Sequence, residues 1–191
     1  QHLAAGRAPV ALSAGDRVLT RRISALLAAR GVPLRDETGW KLSTTHAAAQ
    51  LHALLQACAP MASTDAVLDA LKLAPAFDAA AVQRLEKTLR RQPVRSWMEA
   101  SALVAAQALV GQLEAWRAPM DGRQTLGDWL THTRGLLDGA GIWPTLAGDP
   151  AGAALVDALG LDEAALEAWR HWPSAQRRMA LSEFTRWEIG R

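Results

Sequence analysis

Apolar residues recur along this chain with a period of three to four. Val18, Leu19, Ile23, Leu26 and Leu27 form one such stripe, which predicts a helix over Asp16 to Arg30 with Gly31 as its C′ residue. Ser43 or Thr44 opens a second helix through Ala48, Leu51, Leu54 and Leu55. Ser63 or Thr64 opens a third through Val67, Leu68 and Leu71, and Pro75 stops it. Asp78 caps a fourth through Val82, Leu85 and Leu89, closed by Pro93. Ser96 and Glu99 have capping-box spacing and start the longest helix, through Trp97, Leu103, Val104, Leu109, Leu113 and Trp116 to Pro119.

A sixth helix follows Thr125 through Leu126, Trp129, Leu130, Leu136 and Leu137. Asp149-Pro150 opens a short seventh that ends near Gly160, since proline suits the first helical position. An eighth runs from Asp162 to His171 and stops at Pro173. Ser174 caps a last one through Met179, Leu181, Phe184 and Trp187. Two segments read as extended, Pro9 to Leu12 and Val32 to Leu34, flanking the first helix. Two strands are too few for a stable sheet, so they either dock on the helices or are the edge of a larger sheet, and the edge is the favoured expectation. The expected fold is mostly α: an irregular bundle of about eight to nine helices with a small N-terminal strand-helix-strand unit. The expected division is 1–42 for that edge and 43–191 for the helical domain.

Composition narrows the class. Of the 191 residues, 50% are hydrophobic and 21% charged, a globular balance. No apolar run approaches a membrane span, and no signal peptide opens the chain, so a soluble cytoplasmic domain is expected. The first residue is Gln1, which suggests a piece of a longer protein. The net charge of +2 does not announce a nucleic-acid binder.

The chemical motifs are few. Neither a phosphate-binding loop nor a dinucleotide fingerprint occurs, and Gly135 to Gly141 reads as a helix end and turn. His46 and His52 are six apart and fall on different helix faces, so no metal site is expected. Cys58 ends an apolar helix and reads as buried and inert. No catalytic residue, cofactor or metal is expected within the chain. Basic pairs remain, Arg21-Arg22, Arg90-Arg91 and Arg177-Arg178, each either a phosphate contact or a solvated face. Most tryptophans lie on apolar stripes. Trp40 sits in a loop beside Lys41, ahead of Ser43 and Thr44, and is the candidate exposed aromatic.

The first 75 residues carry a resemblance. Val10-Ala11-Leu12, then Gly15-Asp16-Arg17-Val18-Leu19-Thr20-Arg21-Arg22 and Ala25 to Val32, resemble the strand and D-R-x-L-x-R-R helix start of AddB-type subunits of bacterial helicase–nucleases. Asp36 to Thr45 is similar to that family's D-x-x-G-x-x-L-S-x-T loop. Asp69 to Pro75 is similar to its L-L-K-H-P segment, with Leu73-Ala74 where the family has His. The resemblance implies a fragment of the second helicase-like domain and its helical insertion. The parent would be an ATP-dependent exonuclease or helicase-like DNA-repair protein. This piece would be noncatalytic, bracing the machine and guiding DNA by phosphate contacts. Its partners would be DNA, the parent's other domains and a partner helicase–nuclease subunit. The alternative is a helical interaction domain that holds a partner subunit without touching DNA.

Overall fold

The computed structural model describes residues 17–32, 45–92 and 94–189. The chain divides into two units, Gln1–Trp40 and Lys41–Arg191. In the first, α1 spans Arg17–Ala28. Gly31 adopts a left-handed conformation (φ 67°), and the Val32 N–H donates to the Leu27 carbonyl. Ile23 and Leu27 are half-buried, whereas Leu19 and Leu26 of the expected stripe are exposed. Residues 9–12 and 33–34, expected as strands, lie outside the described residues, and Val32 is neither helix nor strand.

The second unit is helical almost throughout. Its centre is α2 (His46–Ala57), which packs on α3 (Thr64–Leu73), α7 (Leu126–Gly139), α9 (Pro150–Leu159) and α11 (Leu181–Ile189). Alanine and leucine make this possible: Ala47, Ala48, Leu51, Leu54, Leu55 and Ala57 are all buried, so α2 presents apolar surface on most sides. The helix starts follow local chemistry. Thr45, Ser63, Asp78, Thr125, Asp149 and Asp162 each accept an N–H from the first turn of the helix they precede. Thr125 and Asp128 complete a reciprocal capping box. Gly160 ends α9 with φ 62°, a left-handed conformation that favours glycine.

The expected long fifth helix is broken. It becomes α5 (Trp97–Ala100), a 3-10 turn (Val104–Ala106), α6 (Gln107–Arg117) and a second 3-10 turn (Ala118–Met120). Leu103 is extended between the first two, and the Ser101 hydroxyl donates to the Met98 carbonyl, competing with the next helical turn. Trp97 shows why the break is favourable. Its indole N–H donates to Glu114 at 3.0 Å. In one continuous helix these residues would lie about 25 Å apart. The break also turns Val104 outward, where the periodicity places it in the core. Only the Ser96 half of the expected Ser96/Glu99 box forms.

Three further elements depart from the expectation. A short helix, α8 (Trp143–Gly148), precedes α9 with Pro144 in its first turn. α10 (Glu163–His171) ends as expected, but the last helix does not begin at Ser174. Residues Pro173–Gln176 form a 3-10 turn, and α11 starts at Leu181. Between them Met179–Ala180 (β2) pairs antiparallel with Arg123–Gln124 (β1), Arg123 opposite Ala180. The buried Trp129 indole donates to the Met179 carbonyl at 2.9 Å and holds β2 on α7. No helix among the described residues is long and apolar enough to cross a membrane.

Candidate nucleic-acid interface

The basic side chains divide by what they touch. Arg117 is structural: it donates to the Ala57, Ala59 and Pro60 carbonyls at 3.2–3.4 Å and so caps the C-terminal end of α2, where a cation suits the helix dipole. Arg134 lies 3.4 Å over the Trp143 ring and pairs with Asp138.

α4 (Ala79–Arg91) buries Ala81, Val82 and Leu85 and turns its charged face outward. Arg90 on that helix is engaged: the Glu86 carboxylate holds it at 2.6 Å and also holds Lys72 of α3 at 2.9 Å. Those two hydrogen bonds, Arg90's first, hold the Glu86 carboxyl below its ordinary range. Arg91 behaves differently. Arg84, Lys87 and Arg91 are all exposed, spaced three and four residues apart, and fall within about 60° of one another around the helix. The row is about 10 Å long. Lys87 and Arg91 make no ion pair among the described residues. Arg84 has Asp78 at 3.8 Å, but that carboxylate already accepts two main-chain N–H groups as the α4 cap.

A second basic group gathers at the β1/β2 pair. Arg123 and Arg178 each donate to the other's main-chain carbonyl at 2.9 Å. Glu183 takes Arg123 at 3.0 Å and has Arg177 at 4.0 Å. The Ala180 N–H, and after it Arg123 and Arg177, keep the Glu183 carboxyl below its usual range. Two guanidinium groups, those of Arg123 and Arg177, therefore face one carboxylate, while Arg178 is held on the Arg123 carbonyl.

The remaining expected site residues are placed as follows. Arg21 and Arg22 lie on α1, where Arg22 is exposed. Trp40, Lys41, Ser43 and Thr44 lie outside the described residues. Among the described residues, the exposed aromatic of the second unit is Trp172, at 54% exposure. Periodicity misses it because it follows an apolar Trp169 by three residues, and a proline, Pro173, then turns the chain. Arg84, Lys87 and Arg123 are missed too, since none belongs to a basic pair.

Among the described residues nothing converges as a catalytic centre. A depression of about 500 Å³ at the start of α3 is lined by Ser63, Asp65, Glu86, Arg90 and Arg95, and Glu86 there is engaged by Arg90 and Lys72. Cys58 is buried with its thiol pushed up to about 12, chiefly by loss of solvent, which matches its reading as inert. His171 pairs with Glu167 and His132 with Gln124. Among the described residues no group of three His, Cys, Asp or Glu gathers to hold a metal. No family model, curated protein or solved structure matches the chain.

Proposed function

We propose that this chain is a noncatalytic helical module that guides a DNA strand through its backbone phosphates, as part of a DNA-repair helicase–nuclease. The observation that carries the reading is the Arg84–Lys87–Arg91 row, three aligned cations on one open helix face with no strong carboxylate partner among the described residues. Such a row neutralises phosphates without reading bases, so its binding is salt-dependent and sequence-independent. The likeness of the first 75 residues to AddB-type subunits supports the parentage.

Fluorescence anisotropy with a labelled oligonucleotide tests it. Three phosphate contacts give a log–log salt slope of about −2 on single strands. Replacing Arg84, Lys87 and Arg91 by alanine flattens that slope and weakens binding at least tenfold at low salt. An unchanged affinity in the triple variant overturns the reading.

One observation favours the alternative, an interaction domain that holds a partner subunit. Met61 and Met98, 84% and 74% exposed, flank the Ser63–Ser96 bridge, where Trp97 donates to the Ala62 carbonyl. Adaptable apolar side chains of this kind suit a protein contact. On that reading, Met61→Glu with Met98→Glu dissociates the parent assembly, while the triple alanine variant leaves it intact.

A further inference from the structure

Trp172 is the outer ring of a continuous aromatic ladder. The buried Trp129 stacks on Phe184 with centroids 5.6 Å apart, and Phe184 stacks on Trp187 at 5.8 Å. Trp187 meets Trp169 edge-on at 6.3 Å, and Trp169 stacks on Trp172 at 5.0 Å with the planes 14° apart. One face of Trp172 is thus fixed against Trp169, yet the residue remains 54% exposed. Its main chain is fixed as well. The Ala175 N–H donates to the Trp172 carbonyl at 3.0 Å, and the Gln176 amide donates to the Arg170 carbonyl at 2.7 Å. An aromatic plane held in this way loses little freedom when a second plane lies against it.

Charge selects the kind of plane. Gln176, clamped to that turn, is followed directly by Arg177 and Arg178. Arg177 has a side chain 79% exposed, and its nearest carboxylate is 4.0 Å away. A flat π-face with the exposed Arg177 guanidinium five residues along the chain matches a nucleotide, in which a planar base and an anionic phosphate are covalently joined. A base pair inside a duplex is stacked on both faces and cannot take up this position; an unpaired base can.

We propose that Trp172 is a stacking platform for an unpaired base, with Arg177 on the adjoining phosphate, so that the module selects single-stranded over double-stranded nucleic acid. This rests on the phosphate-guiding reading above and adds to it the class of strand.

The test uses the 191-residue chain with a fluorescein-labelled twelve-nucleotide oligothymidylate and a duplex of the same length. The parent is expected to bind the single strand more tightly. Trp172→Ala weakens single-strand binding about tenfold and changes duplex binding less than about twofold. Trp172→Phe keeps most of the single-strand affinity because it keeps a ring. Trp172→Lys loses the preference although it adds a positive charge. If Trp172→Ala binds the single strand like the parent, or loses both forms equally, base stacking is overturned while phosphate guiding stands. A gain of single-strand affinity in Trp172→Lys also overturns it, by showing charge to be sufficient. Competition by polyglutamate as strong as that by the oligonucleotide overturns the nucleotide class. If the parent binds neither form at low salt, the phosphate-guiding reading falls and this inference falls with it.

Discussion

Arg123 and Arg178 clasp each other across the β1/β2 pair: Arg123 Nη2 donates to the Arg178 carbonyl, and Arg178 Nε donates to the Arg123 carbonyl, both at 2.9 Å. Two residues of strand on each side cannot hold themselves together. The clasp supplies what the short ladder lacks, and Arg123 adds an ion pair to Glu183 at 3.0 Å. Arg178→Ala should therefore cost about 1 kcal/mol in chemical denaturation, and Arg123→Ala somewhat more, because it loses the Glu183 contact as well. Equal costs for the two would show that the ion pair contributes nothing.

Gly152 lies where α9 crosses α8. A Cβ at this position would collide with the main-chain carbonyl of Leu146, which cannot swing aside as a side chain would. Gly152→Ala is expected to destabilise the protein by about 2–3 kcal/mol. Gly135, on the exposed face of α7, has nothing within 4 Å of the same added atom. There alanine should stabilise by about 0.5–1 kcal/mol, since glycine is the poorer helix former. Thermal melts of the two variants should move in opposite directions.

Burial should make Cys58 unreactive towards thiol reagents. Its thiol, pushed up to about 12, has a negligible thiolate fraction at neutral pH. An aromatic disulfide reagent at about pH 8 should leave the native protein unlabelled and titrate one thiol after denaturation. Rapid labelling of the native protein would mean that the end of α2 opens readily.

Acid should loosen the protein at identifiable places. Glu86, held low by Arg90 and Lys72, and Glu183, held low first by the Ala180 N–H, both have folded-state values below their unfolded ones. Their contribution is present above the unfolded value, about 4.3, and is lost as pH falls through the folded value. Melting temperature should drop from about pH 5 to about pH 3. Glu86→Gln and Glu183→Gln should be less stable at neutral pH and show a smaller drop. A wild-type drop retained in both variants would place the acid sensitivity elsewhere.

Much of the helical framework was legible because capping is local. Ser63, Asp78, Thr125, Asp149 and Asp162 sit within three residues of the N–H groups they satisfy, so a short window of sequence contains both partners. Leu51, Leu54, Val67, Leu68, Leu85, Leu113 and Leu130 are buried as their spacing predicts. The second helix begins one or two residues later than its spacing suggests, at the Thr45 cap, because three consecutive hydroxyl residues offer equivalent caps.

The candidate site was legible in part. Arg90 lies four residues after Glu86 and Arg91 five, so helical spacing lets Glu86 engage the first and not the second, whereas Lys72 comes to that carboxylate from a different helix, which spacing does not record. Trp172 falls between the expected end of the eighth helix at His171 and Pro173, where no periodicity assigns it a side, and the turn at Pro173–Gln176 places it at the surface.

The sequence by itself determined that the chain is mostly helical, where many of the helices start, and many of the residues that fill the core, though not Leu19, Leu26 or Val104, since propensity, capping and the 3.6-residue period act over one or two turns. Only the tertiary structure decided that the fifth helix breaks so that Trp97 meets Glu114, and that residues 123–124 pair with 179–180. It also decided that Lys72 of α3 shares the Glu86 carboxylate with Arg90. The helix break and the strand pair depend on partners 17 to 57 residues apart in the chain, and no local pattern records which distant groups the packing brings within hydrogen-bond reach.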